Sequence, residues 1–206
     1  FIKKEKNFRA TAVTMPFKKK VIKYLDKIDK FAKKAGSVNL ILKKKEKLMG
    51  YNTDLYGAID SIKQQIFKNK IIMIIGLGGT GQALFNYLSK TYSTKKFILI
   101  SKSYKKRRRN IVILKSLNKK ILSKKALIIN CTPLGSDLKK NFKKQIPIDR
   151  NLIKDINSSS FIFDIIYSPR NTLLSKECKK YSLNYMNGLN MNTLQAERAL
   201  KIAFKK

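Results

Sequence analysis

Apolar positions along this chain follow two different patterns. From Ile71 onward, short uninterrupted runs alternate with helical spacing. Ile71 to Ile75 is too short for a globular helix and too apolar for a half-exposed strand, so it predicts a strand buried on both faces of a parallel sheet. Gln82 to Tyr92 then places Leu84, Phe85 and Leu88 on one helical face. Phe97 to Ile100 supplies a second strand and completes a βαβ unit. Ile111 to Leu114, Leu127 to Asn130 and Phe161 to Asp164 read as further strands. Asn171 to Tyr181 reads as a helix, Asn184 to Met186 as a short edge strand, and Met191 to Phe204 as a final helix.

Before Ile71 the pattern is more mixed. Arg9 to Thr14 predicts a short strand that stops at Met15-Pro16, because proline removes a ladder donor and biases its predecessor away from helix. Phe17 to Lys34 has helical spacing, with Val21, Leu25, Ile28 and Phe31 on one face. Val38 to Leu42 and Lys47 to Gly50, around the polar turn Lys43 to Lys47, predict a hairpin. Leu55 to Phe67 predicts a helix capped from within Asn52-Thr53-Asp54. No internal repeat or low-complexity linker interrupts the chain. It opens at Phe1 in what reads as a connecting segment, which suggests a fragment or a processed product.

The junction after Ile75 carries the first chemistry. Gly76-Leu77-Gly78-Gly79-Thr80-Gly81 contains G-x-G-x-x-G at Gly76, Gly78 and Gly81, with Gly79 an extra glycine. The first glycine permits a tight turn, the second lets backbone N–H groups approach a pyrophosphate, and the third lets helix pack on strand. Glycine turns have many structural uses. Here the flanking strand and helix favour dinucleotide binding, with the phosphates at the helix N-terminus.

Composition changes this picture little, except for one absence. Among 206 residues, 47 are Lys or Arg and 12 are Asp or Glu, a formal charge of +35. Lysines occur in nearly every segment beside abundant Ile and Asn, residues with A/T-rich codons, so base composition accounts for the excess. No specific nucleic-acid partner is inferred, although the surface would attract anionic substrates. Only Lys105 to Arg109 is a concentrated basic cluster. The two cysteines, Cys131 and Cys178, form no C-x-x-C and fit reduced thiols in the cytoplasm. No apolar run is long enough to span a bilayer. The chain has no histidine, so proton transfer falls to Lys, Tyr, Asp, Glu or Cys, and no metal site is expected.

Several motifs in order carry a family likeness. They are VTMPFK (Val13 to Lys18), AGSVN (Ala35 to Asn39), GYNTDLYG (Gly50 to Gly57), the Gly76 loop, INCTPLG (Ile129 to Gly135) and FDIIY (Phe163 to Tyr167). Asn187-Gly188-Leu189 follows, with Met191 and Gln195. In this arrangement the chain resembles the shikimate dehydrogenases. The resemblance implies a two-domain α/β fold: a partial substrate domain over residues 1–68, a Rossmann-type NADP-binding domain over 69–187, and a C-terminal helix, 188–206, returning to the substrate domain. It implies reversible NADPH-dependent reduction of 3-dehydroshikimate to shikimate, on the route to chorismate and the aromatic amino acids, and admits a homodimer. Lys18 would be the catalytic lysine and Asp54 its partner. Thr14, Asn39, Tyr167 and Gln195 would contact shikimate, Ile165 would lie by the nicotinamide, and Gly188 would touch the cofactor.

Elementary chemistry agrees with Lys18. Hydride delivery to a ketone leaves an alkoxide, and an ammonium supplies both a positive charge and the proton it needs. With an ordinary pKa of about 10.4, lysine donates well and accepts poorly. As one lysine among many, Lys18 gains its significance only from Thr14-x-Pro16-x-Lys18. Cofactor choice follows from the end of the second strand, where an NAD site expects an acid and an NADP site expects cations. The chain has Ser101-Lys102-Ser103-Tyr104-Lys105-Lys106 there. Ser101, Lys102, Ser103 and Lys106 take the places of the family's Asn-Arg-Thr and following Arg. Lysine keeps the charge but loses the planar fork, so NADP is favoured with weaker binding.

The sequence also departs from the family. The first strand and helix, with the Ser-x-Ser that grips the substrate carboxylate, have no counterpart, and the chain stops before the closing helix of many members. Ala12 replaces a usual Asn, and Asn190 a usual Gly. An inactive or merely NADP-binding remnant is therefore the alternative reading. A short-chain dehydrogenase would need Tyr-x-x-x-Lys on a late helix, and Tyr92 and Lys96 have that spacing only in a connecting loop. A tetrahydrofolate dehydrogenase would not account for Asn52-Thr53-Asp54 or Gln195.

Overall fold

The structure, a computed structural model, describes residues 2–14, 16–101 and 110–204. Its first part contains β1 (Ala10–Ala12), β2 (Lys27–Ile28), α1 (Lys30–Ala35), β3 (Leu40–Lys44) and β4 (Lys47–Tyr51). The strands form one sheet in the order β1-β3-β4-β2, with β1 and β4 antiparallel to β3, and β2 parallel to β4. The expected hairpin is β3–β4.

The single helix expected over Phe17 to Lys34 does not form. Its helical spacing survives only in a 3-10 turn at Lys20–Tyr24 and in α1. Between them Leu25 is extended, with φ −99° and ψ 142°, and β2 adds to the edge of β4. The backbone here finds its partners in β4. Asp26 N–H donates to Leu48 O at 3.0 Å, Asp29 N–H to Gly50 O at 2.8 Å, and Leu48 N–H to the Asp26 carboxylate at 2.8 Å. Gly50 makes the approach possible, since a Cβ there would sit 2.5 Å from Leu25 Cδ1. Asp29 then caps α1 by accepting from Ala32 N–H at 2.7 Å. Val21, Leu25 and Ile28 still reach one core, packing on Ala32, Val38, Ile41 and Leu48, while Phe31 packs on the core beneath the next two helices.

α2 (Thr53–Lys68) starts at Asn52, whose side chain accepts from Leu55 N–H at 2.8 Å, and leads into β5 (Ile71–Ile75). There follow α3 (Gly79–Thr91), β6 (Lys96–Ile100), β7 (Ile111–Leu114), α4 (Lys119–Leu122), β8 (Leu127–Asn130), α5 (Arg150–Ile153), β9 (Phe161–Asp164), α6 (Leu173–Lys180), β10 (Asn184–Met186) and α7 (Leu189–Phe204). The four-residue α4 and α5 are too short to leave a periodic signal; the side chains of Asn118 and Asp149 cap them. The second sheet is wholly parallel in the order β10-β9-β8-β5-β6-β7.

Alternate residues of the central strands enter different cores, as strand geometry requires. Ile72, Ile74, Phe97, Leu99 and Ile129 pack with Leu84 and Leu88 of α3 and Ile62 and Ile66 of α2. Met73, Ile75, Ile98, Ile128 and Ile162 pack with Leu122, Ile153 and Leu174 on the opposite face. The chain runs from β5 outward to β7, then returns to the other side of β5 as β8. Beyond the carboxyl ends of β5 and β8 lies the crevice where open α/β sheets bind ligands. α7 closes the molecule by packing on α2. A Cβ on Gly57 would lie 2.5 Å from the Met191 carbonyl oxygen. Among the described residues, no helix is long and apolar enough to cross a membrane.

Candidate active site

Each glycine of the loop after β5 has its own physical reason. Gly76 is left-handed (φ +86°), and a Cβ there would meet Thr132 Cγ2 at 2.6 Å. A Cβ on Gly81 would run into the Gly76 carbonyl oxygen, so Gly81 lets α3 sit tightly on the turn. Gly78, the N-cap of α3, is crowded by nothing in the chain. Its bareness therefore serves approach from outside, where the first N–H groups of a 13-residue helix lie without intrahelical partners. This cradle suits a dinucleotide pyrophosphate. Leu77 turns inward against the core, while Gly78, Gly79 and Thr80 border a large cleft.

The far wall of that cleft comes from the segments that follow β8 and β9. Cys131, Thr132 and Pro133 form one lip; Ile165, Ile166 and Tyr167 form the other. Burial, with the charge of Asp164 second, pushes the Cys131 thiol well above its ordinary range, so it serves as apolar lining and not as a nucleophile. Asp164 is fully buried, and that burial raises its carboxyl pKa against the hydrogen bonds that lower it.

A second, much smaller cavity joins the two parts of the chain. Lys18, Ser37, Asn52 and Asp54 line it on one side, Gly79 and Thr80 on the other. Lys18 is held at its backbone, where its carbonyl accepts Val38 N–H at 2.8 Å. Its Nζ lies 2.6 Å from Asp54 Oδ2, with both side chains 26% exposed. Asp54 stands in the first turn of α2, where the helix dipole favours a negative charge. The pair is thus an ammonium held by a carboxylate, open on one side to the cavity.

Asn39 and Gln195 converge on the same helix end. Asn39 Oδ1 accepts from Thr53 N–H at 2.7 Å and its Nδ2 donates to Thr53 Oγ1 at 3.0 Å; Thr53 Oγ1 donates to Gln195 Oε1 at 3.3 Å. Thr53 is the hub of this cluster. In the sequence it stood inside GYNTDLYG, beside the cap residue Asn52, without a role of its own. Thr14 is exposed in the turn before Lys18, its carbonyl accepting Phe17 N–H at 2.9 Å, and does not line the Lys18 cavity. Tyr167, 49% exposed, lines the larger cleft and not the Lys18 cavity. Gly188 is buried, and a Cβ on it would strike the Ile165 carbonyl oxygen, so it permits the close passage of two backbones. Ser101 N–H donates to Leu114 O at 3.0 Å at the end of β6. Lys102, Ser103 and Lys106 lie outside the described residues.

A parallel sheet with its strand order reversing at a glycine-lined crevice, and a lysine–carboxylate pair in a cavity that shares the same glycine loop, define a two-domain nucleotide-binding α/β protein. Comparison with known proteins narrows the class. Residues 2–41 match the family model of the shikimate dehydrogenase substrate binding domain. The chain is 33% identical over 200 residues to the shikimate dehydrogenase (NADP(+)) of Clostridium botulinum, covering 94% of this chain and 75% of that one. It is 35% identical over 207 residues to that of Methanococcus vannielii, covering 92% and 70%. The chain belongs to the shikimate dehydrogenase family. Among solved structures, a shikimate dehydrogenase in complex with NADP+ superposes with a TM-score of 0.78 at 29% identity, over 97% of this chain and 72% of that one. The shikimate 5-dehydrogenase of Listeria monocytogenes, in complex with shikimate and NAD, has the same fold. Its TM-score is 0.81 at 22% identity, over 97% and 74%.

Proposed function

We propose that this chain catalyses the reversible reduction of 3-dehydroshikimate to shikimate with NADPH, on the route to chorismate and the aromatic amino acids. The observation that carries the reading is the Lys18–Asp54 pair, 2.6 Å apart, opening on one cavity with Gly79 and Thr80 of the phosphate loop. Bound NADPH supplies the hydride. Lys18 Nζ holds a proton where the ketone oxygen develops negative charge, and passes it to that oxygen as the carbon accepts the hydride. Asp54 orients the ammonium, Ser37 and Asn52 line the cavity beside it, and Asn39 and Gln195, joined through Thr53 at the same end of α2, would contact the substrate. Lys18 then regains its proton from solvent. Thr14 and Tyr167, which do not line the Lys18 cavity, would meet the substrate where it extends beyond that cavity, Ile165 would pack by the nicotinamide, and Gly188 would adjoin the cofactor.

The division into a substrate part (1–68), a nucleotide part (69–187) and a returning helix (188–206) is supported by the separate sheets and by the packing of α7 on α2. Two free, buried cysteines fit a reducing cytoplasm. The test is Lys18→Ala. Turnover of 3-dehydroshikimate should fall about a hundred- to ten-thousand-fold, chiefly in kcat, while NADPH affinity stays within about twofold. Asp54→Asn should also impair turnover, with a larger share in KM. Full activity of Lys18→Ala, or a loss of NADPH affinity equal to the loss of rate, would mean that another group is the acid.

A further inference from the structure

The two lips of the larger cleft are joined beneath the surface by an unbroken run of hydrogen bonds. Asn130 and Asp164 are register partners at the carboxyl ends of β8 and β9, where both strands leave the sheet. On one lip, Leu134 N–H donates to Thr132 Oγ1 at 3.3 Å. Thr132 donates to Asn130 Oδ1 from its hydroxyl at 2.8 Å and from its N–H at 3.0 Å. Asn130 Nδ2 then donates to Asp164 Oδ1 at 2.9 Å. From the other lip, Ile166 N–H donates to the same oxygen at 3.2 Å. The second oxygen, Asp164 Oδ2, accepts from Tyr185 of β10 at 3.1 Å and from Thr172, the cap of α6, at 3.3 Å. Asp164 and Asn130 are both wholly buried, and neither lines the cleft.

We propose that Asp164, acting through Asn130, is a positioning residue for the nicotinamide half of the dinucleotide, fixing the spacing of the two lips between which that half is held. The inference rests on the cofactor reading of the preceding section. Its physical basis is directional. In a sheet of this order the pyrophosphate lies at the glycine loop after β5, and the 2′-end of the adenosine half lies beyond β6. The other half must therefore pass over β8 and β9. Asp164 stands three strands from β6, about 14 Å at ordinary strand spacing, so it can affect one half of the ligand without touching the other. Every donor in the run points toward the carboxylate, so a single oxygen, Oδ1, receives both lips. Among the described residues the lips share two further ties: Ile165 N–H donates to Asn130 O at 3.2 Å, and at the outer end Ser168 Oγ donates to Asp137 at 3.1 Å while Asp137 N–H donates to Ser168 O at 3.2 Å.

Adenosine 2′,5′-bisphosphate, which carries the adenosine half alone, separates this role from a merely structural one. Asp164→Asn keeps the volume of the side chain and places an amide donor against donors. In calorimetric titrations it should weaken NADPH binding about ten- to a hundredfold, with the bisphosphate affinity changed by less than about twofold. Asn130→Ala, which severs the first lip from Asp164, should show the same selective loss. It carries the test if Asp164→Asn does not fold. Equal losses for both ligands, or unchanged NADPH affinity in a folded variant, would overturn the proposal. A parent chain that binds neither ligand would overturn the cofactor reading, and the proposal with it.

Discussion

Asp26 illustrates how one side chain can divert a segment from the structure its spacing suggests. Its carboxylate takes the Leu48 N–H of β4 at 2.8 Å and pairs with Lys3 at 2.9 Å. The Leu48 hydrogen bond first, and Lys3 second, hold its pKa below the ordinary value. The folded pKa lies below the unfolded one, so this group's contribution is fully present above about pH 4 and is lost as pH falls through the folded value. Asp26→Asn should therefore lower the melting temperature by a few degrees at pH 7. The difference from the parent should close on acidification below about pH 4. Thermal melts across that range check it, and a constant difference would show that the amide loses packing and not charge. Asp164 carries the opposite sign, since burial raises its pKa and its ionisation opposes folding as pH rises.

The contact of α2 with α7 brings the end of the chain to the residues near its start. Gly57 sits where the helices come closest, and a Cβ there would press on the Met191 carbonyl at 2.5 Å and the Gln195 nitrogen at 3.0 Å. Alanine gains up to about 1 kcal/mol of helix propensity over glycine, while overpacking costs about 1–3 kcal/mol. The obstacle is backbone, which cannot rotate away as a side chain would, so the second effect wins. Gly57→Ala should destabilise the protein by about 1–2 kcal/mol in chemical denaturation. It should also raise the KM for 3-dehydroshikimate, because α7 carries Gln195 toward Thr53. A more stable variant would show that α7 is free to move outward.

At the scale of the whole molecule, 47 cations against 12 acids give a field that draws in any anionic ligand. Such a field favours the more highly charged NADPH over NADH only weakly, because salt screens it over about 10 Å. Discrimination needs cations at the 2′-phosphate itself, and the sequence offers Lys102 and Lys106 beyond the end of β6. Replacing both by Ala removes few of the molecule's cations, yet it should weaken NADPH binding much more than NADH binding. Calorimetry with both cofactors checks this, and equal losses would return cofactor choice to the general field.

The parallel sheet, its order of elements and the glycine cradle were legible because their causes are local. A run such as Ile71 to Ile75 can only be buried on both faces, and the spacing of Gly76, Gly78 and Gly81 reflects the turn they make with their neighbours. A cap within Asn52-Thr53-Asp54 was legible for the same reason, and the structure gives that place to Asn52. The segment from Phe17 to Lys34 was not, because the groups that satisfy its backbone belong to Leu48 and Gly50, which its own spacing does not reveal. The family motifs named Lys18 and Asp54, residues 36 positions apart, but only folding sets them 2.6 Å from each other beside Gly79 and Thr80. Thr53 and Asp164 stood within the quoted motifs, but as a helix start and a strand end they gave no sign of their partners. Their hydrogen-bond partners, Gln195 for one and Asn130, Thr172 and Tyr185 for the other, come from distant elements. Local chemistry along the chain determined the strands, the turns and the caps; the meeting of distant polar groups in a buried site was decided by tertiary packing, which alone brings such groups within hydrogen-bond reach.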